Sequence, residues 1–152
     1  MATSSDTESA DAIRAHHSDL QASLGDRVAA LTDAVRAGRG PEPARLAVLA
    51  FLDTELLPHA AAEERTIYPA GDRGSTATLV RAMVAEHRNL MTHVAGLRQS
   101  GDAIEALGSA WAIQALFESH LSKENDLLIP ALVADPSVSL GELLGGMHEI
   151  LG

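Results

Sequence analysis

LLPHAAAEERTIYP, residues 56–69, is the stretch on which the reading of this chain turns. Strides of three and four residues through it give Leu49, Leu52, Leu56, His59, Glu63 and Ile67, the stripe of a helix that buries one face. Two members of that stripe are not apolar. ESHLSKENDLLIP, residues 118–130, repeats the pattern, with Ile113, Phe117, His120, Glu124 and Leu127 on one line. Each stretch therefore carries His-x-x-x-Glu, an imidazole and a carboxylate one turn apart on the same face. Glu63 and Glu124 also stand alike in their segments, each six residues before a proline, Pro69 and Pro130.

Two further seams run between and before these. One is Ile13, His17, Leu20, Leu24, Val28, Leu31 and Val35; the other is Val80, Met83, His87, Leu90, Val94 and Leu97. Each holds a single histidine followed three residues later by leucine, so the chain is a weak internal repeat. Gly38-Arg39-Gly40-Pro41, residues 69–74 and Ser100-Gly101 punctuate it. They predict helices over 9–37, 43–68, 75–100 and 102–134, with Ser75 or Thr76 capping the third and Asp102 the fourth. Pro58 falls inside the second helix and is expected to bend it. After Asp135-Pro136, residues 139–151 read as a short terminal helix. The predicted fold is all-α: an antiparallel up-down-up-down four-helix bundle over 9–134, a flexible N-terminus over 1–8, and a short C-terminal helix within 135–152.

Bulk composition narrows the class. A chain of 152 residues with 46% hydrophobic and 21% charged residues suits one globular domain with a proper core. The formal charge of −10, with no basic run and no aromatic stacking set, argues against nucleic acid and anionic membrane surfaces as partners. The absence of cysteine excludes disulfides, thiolate metal sites and cysteine nucleophiles. The polar, acidic start is not a secretory signal, and no apolar run approaches the roughly 18–20 residues that span a bilayer, so a cytoplasmic location is expected. No residue set marks a docking surface for another protein.

Four histidines and two glutamates, His17, His59, Glu63, His87, His120 and Glu124, therefore occupy positions that the pattern reserves for Leu, Ile or Val. An ionised carboxylate buried alone costs several kcal/mol even after relaxation, and the usual outcomes are pairing, neutralisation or metal coordination. A pair of divalent cations would offset the cost for all six at once. Imidazole and carboxylate without sulfur suit iron, with manganese or zinc as less favoured occupants. Of the adjacent His16 and His17, the seam selects His17. His93 and His148 fall off the seams and read as surface residues. Glu64 and Glu86 flank ligand positions and read as solvated, with a role as extra ligand or hydrogen-bond acceptor open to either. Tyr68 reads as a helix-end aromatic that could also reach the site, and Met83 as core filler. Ferritin-like bundles carry Glu-x-x-His and a carboxylate-rich site; here the order is reversed and histidine dominates.

The order H…HxxxE…H…HxxxE, with His59-Ala-Ala-Ala-Glu63-Glu64-Arg65-Thr66-Ile67-Tyr68-Pro69 and Glu86-His87-Arg88-Asn89-Leu90, resembles the hemerythrin-like (HHE cation-binding) domain across residues 13–130. The resemblance implies a non-haem di-iron centre, oxo- or hydroxo-bridged, with His17 and His59 serving one iron and His87 and His120 the other. Glu63 and Glu124 would bridge. It further implies binding or reduction of O2, H2O2 or NO, or alternatively an iron- or oxygen-sensing or metal-dependent interaction module without turnover. Two departures separate the chain from the oxygen carriers of that family. Met83 stands where they have a fifth histidine, and the last pair is His-x3-Glu where they use a longer spacing to aspartate. Both argue against reversible O2 carriage and toward the bacterial stress-response and iron-sensing members. The bacterial iron-centre repair proteins share the six-ligand pattern but add a cysteine-containing N-terminal domain, of which this sequence has none.

Overall fold

A computed structural model describes residues 4–152, and these are almost wholly helical, with no strand among them. The chain runs α1 (Ser4–Arg36), α2 (Glu42–Phe51), α3 (Leu57–Arg65), α4 (Ile67–Gly71), α5 (Ala77–Gln99), α6 (Ala103–Lys123), α7 (Ile129–Ala134) and α8 (Leu140–Leu151). A five-residue π turn, Leu52–Leu56, joins α2 to α3, and a second, Glu124–Leu128, joins α6 to α7. A 3₁₀ turn over Gly74–Thr76 leads into α5. α1 packs on α2, α6 and α8, while α5 packs on α2, α4 and α6.

Helix ends follow local chemistry. Gly38, at φ +66°, closes α1 in the left-handed conformation that favours glycine, and Arg39 N–H donates back to Ala34 O at 2.9 Å. Asp102 caps α6 as expected, accepting from the backbone of Ile104 and Glu105 at 2.9 and 2.8 Å. Thr76 stands at the N-cap of α5, but its hydroxyl turns back and donates to Gly71 O at 2.6 Å.

Three sequence expectations are corrected. The first helix begins at Ser4 instead of near residue 9, because Asp6 is buried and its carboxylate accepts from Leu140 N–H at 2.8 Å, tying the opening turn to the start of α8. The part of the expected flexible terminus over residues 1–3 lies outside the described residues. The second helix is interrupted at Thr66 (φ −128°, ψ −75°), which separates α4 from α3. Pro58 is met by the π turn before it, where Leu57 N–H reaches Leu52 O; Pro130 is met the same way, with Ile129 N–H reaching Glu124 O. Proline removes one donor and crowds the carbonyl a turn back, and widening that turn accommodates the ring. The second π turn also shifts the inner face by one position: Leu127, expected in the seam, is 55% exposed, and Leu128 and Ile129 are fully buried in its place.

The remaining seam positions are buried, with Val35 partly so. They fall into two apolar clusters. One gathers Leu20 to Leu31, Leu49 to Leu56, Leu90 to Leu97 and Ile113 to Leu121. The other gathers Ile13, Ile67, Tyr68, Val80, Met83, Leu128, Ile129, Leu132 and, from α8, Leu140 and Met147. On every seam the polar residues fall where one cluster gives way to the other: His17 between Ile13 and Leu20, His59 and Glu63 between Leu56 and Ile67, His87 between Met83 and Leu90, His120 and Glu124 between Phe117 and Leu128.

Candidate metal centre

All six sequence-selected residues are brought together, each no more than 5% exposed. His17 comes from α1, His59 and Glu63 from α3, His87 from α5, His120 from α6, and Glu124 opens the second π turn. Two triads have converging ligand atoms: His17, His59 and Glu63, and Glu63, His87 and His120. Glu63 belongs to both, with Oε1 at 3.3 Å from His17 Nε2 and 2.7 Å from His59 Nε2, and Oε2 at 3.7 Å from His87 Nε2. Glu124 spans the same gap from the opposite side, its Oε2 standing 3.7 Å from both His17 Nε2 and His120 Nε2.

The ring nitrogens that face away from the cluster carry its outer partners. His17 donates from Nδ1 to Asn125 Oδ1 at 2.7 Å. His87 donates from Nδ1 to Glu64 and His120 from Nδ1 to Glu86, both at 2.8 Å, and Lys123 pairs with Glu86 in turn. Glu64 and Glu86 thus take the hydrogen-bond acceptor role that the sequence left open beside a solvated one; Glu86 is largely buried as a result, whereas Glu64 stays 40% exposed at its side chain. These partners fix the tautomer: with the proton on Nδ1, each Nε2 presents a lone pair inward.

That arrangement is short of positive charge. His87 Nε2 and His120 Nε2 lie 3.1 Å apart, and one hydroxyl, Tyr68 Oη, serves both, at 3.3 and 2.9 Å. Tyr68 also reaches Glu63 Oε2 at 3.5 Å, so this buried aromatic belongs to the site. Both ring nitrogens of His59 and both carboxylate oxygens of Glu124 are buried without a hydrogen-bond partner. The short approach of His59 to Glu63 lacks hydrogen-bond alignment. Buried acceptors facing one another with too few protons are the donor set a cation satisfies.

Electrostatics agree. Burial pushes the Glu63 carboxyl up, but the imidazoles of His59 and His17 outweigh it and hold the group well below the ordinary carboxylate range. Glu124 goes the other way, raised well above that range by burial and by the charge of Glu63. Burial and then His87 depress His120 to about 4. Tyr68 is raised by burial and by Glu63, which keeps its hydroxyl protonated.

His93 and His148 are exposed, as expected, and so is His16, whose ring lies 4.9 Å from that of His59. Met83 is fully buried in the apolar cluster. Asn125 and Lys123 were not legible as site residues. The signal for Asn125 is adjacency to Glu124, and for Lys123 a place one turn from His120, but both lie off the inner seam.

An all-helical protein with a buried histidine–glutamate cluster able to hold metal cations is the class that fold and site define. The hemerythrin HHE cation-binding domain profile matches residues 8–132, and the chain belongs to that family. No curated protein and no solved structure matches it. None of the described helices is long and apolar enough to cross a membrane.

Proposed function

We propose that this is a cytoplasmic non-haem di-iron protein that binds or reduces O2, H2O2 or NO in the interior of an antiparallel four-helix bundle. The alternation of the two apolar clusters along successive helices supports the up-down-up-down course. The observation that carries the reading is Glu63, shared by two buried histidine triads and faced by Glu124, whose oxygens accept no hydrogen bond. In this reading His17 and His59 would hold one iron and His87 and His120 the other, with Glu63 and Glu124 as the carboxylate ligands.

Bound there, iron would supply the redox and ligand-binding chemistry. The chain supplies the rest. Glu64 and Glu86 hold the His87 and His120 rings with Nε2 turned inward. Tyr68 keeps a proton at the floor of the site, within reach of Glu63 and two imidazoles. The two apolar clusters exclude bulk water on either side, which strengthens every electrostatic interaction between them.

A reading as an iron- or oxygen-sensing module without turnover draws on the same unpartnered groups. They tie the stability of the fold to occupancy, so that folding itself reports metal. Metal content per chain, measured with the near-UV and visible spectrum before and after exposure to air, peroxide or NO, tests the proposal. Two irons per chain and a spectrum that responds to those ligands are expected, and steady-state consumption separates enzyme from sensor. No iron after anaerobic reconstitution, or a colourless zinc form of undiminished stability, would overturn it.

A further inference from the structure

We propose that the two halves of the cluster hold their cations unequally: the ion between His17 and His59 is the exchangeable one, and it passes through the pocket that α8 closes. This rests on the cation-binding reading above and adds to it.

The four imidazoles are not supported alike. His87 and His120 each give their outer nitrogen to a carboxylate, and Lys123 holds Glu86 in place. His17 gives its outer nitrogen to a neutral amide, that of Asn125, whose backbone carbonyl accepts from Arg14 at 3.2 Å. His59 has no hydrogen-bond partner on either nitrogen, and its outer nitrogen, Nδ1, has no support at all. An acceptor of this kind fixes the ring and raises its basicity as a ligand, and losing one typically costs 10–100-fold in metal affinity. One half of the site therefore has two charged supports, and the other has a single neutral one.

The weakly supported ring, itself buried, also stands in the wall of a pocket. A pocket of about 200 Å³ lies between α1, α3 and α8, with His59 in its wall. Ala12, Ile13 and His16 line it from α1, and Leu144, Met147 and His148 from α8. The exposed His16 ring is 4.9 Å from that of His59, and His148 borders the same space. Imidazoles along a pocket wall give a first-row divalent ion successive nitrogen ligands on its way inward. The closing element is weak: α8 carries Gly141, Gly145 and Gly146 and buries only Leu140 and Met147. Glycine inside a helix costs about 0.5–1 kcal/mol relative to alanine, which favours opening of this helix over the others.

Reconstitution with Co2+, followed by release into excess EDTA and read by cobalt absorption and metal content per chain, tests the inference. Two ions should leave in two phases at least 10-fold apart in rate. His59→Ala should bind one ion, released in the slow phase. Ala12→Phe, at an exposed position on the pocket wall, should slow the fast phase several-fold and leave the slow phase unchanged. Glu86→Gln should move the slow phase toward the fast one, and it decides the matter if His59→Ala does not fold. Two ions lost at one rate, or a Glu86→Gln variant with an unaltered slow phase, would overturn this inference alone. A chain that binds no cobalt overturns the cation-binding reading with it.

Discussion

Replacing Glu124 by methionine should change the stability of this protein in opposite directions with and without metal. Both oxygens of Glu124 are buried without a hydrogen-bond partner, and burial together with Glu63 drives the group toward its neutral form. A buried polar group left unpaired costs about 1–3 kcal/mol. Methionine fills a similar volume without that cost, so Glu124→Met should stabilise metal-stripped protein by about 2 kcal/mol, or about 4–8 °C in Tm for a chain of this size. In metal-loaded protein the same change removes one of two carboxylates that face both histidine pairs, and at least about half the bound metal should be lost. A ligand at 100 times its dissociation constant contributes about 2.7 kcal/mol, so losing one should lower Tm by about 5–10 °C. Differential scanning fluorimetry on EDTA-treated and reconstituted samples, with metal analysis of each, reads both halves. A variant less stable than wild type in EDTA would refute the reasoning, because Glu124 would then be contributing favourable contacts to the stripped core.

In metal-stripped Glu124→Met, stability should fall as pH drops from about 6.5 toward 4. His120 has its folded value depressed to about 4, so the unfolded chain takes up a proton that the folded one refuses; the contribution is fully present above about pH 6.5, and about 3 kcal/mol is lost across the window. Urea unfolding at several pH values checks this, and a flat profile would remove His120 as the cause. Tyr68→Phe should destabilise stripped protein by about 1–2 kcal/mol, since one hydroxyl serves His87, His120 and Glu63; unchanged urea midpoints would show that these acceptors find other donors. Gly71→Ala should cost about 1–3 kcal/mol, because the added carbon would lie 2.8 Å from Leu128 Cδ1 and 3.0 Å from Val80 Cγ2. Gly108→Ala, inside α6 with nothing within 4 Å, should instead stabilise by about 0.5–1 kcal/mol, and thermal melts of the two variants should move apart. His93→Ala, on an exposed position, should leave metal content unchanged.

The buried face of each long helix and the six polar residues on it were legible in the sequence, because burial on a helix has a period and these residues broke an otherwise apolar one. The two π turns were not. A proline signals strain, but a straight helical period has no way to show that strain being absorbed by an extra residue in the turn before, and this is why Leu127 was placed inside where Leu128 belongs. The supports of the histidines were harder still. Glu64 and Glu86 could be marked only as open between solvent and an acceptor role, and Asn125 and Lys123, which lie beside the inner line, look like ordinary solvated residues until a neighbouring helix brings His17 to the one and Glu86 to the other. The early start of α1 depends on Asp6 meeting Leu140, a contact between residues 134 positions apart that no local pattern contains.

That last contact bears on how the protein is made. Leu140 is synthesised 134 residues after Asp6, a separation of about 7–27 s at 5–20 residues per second. His17 likewise waits 107 positions for Glu124 (124 − 17), so no shorter nascent fragment contains a complete cluster. α8, which forms one wall of the space beside His59, is synthesised after every helix that carries a residue of the cluster, so that wall is added after the six residues themselves.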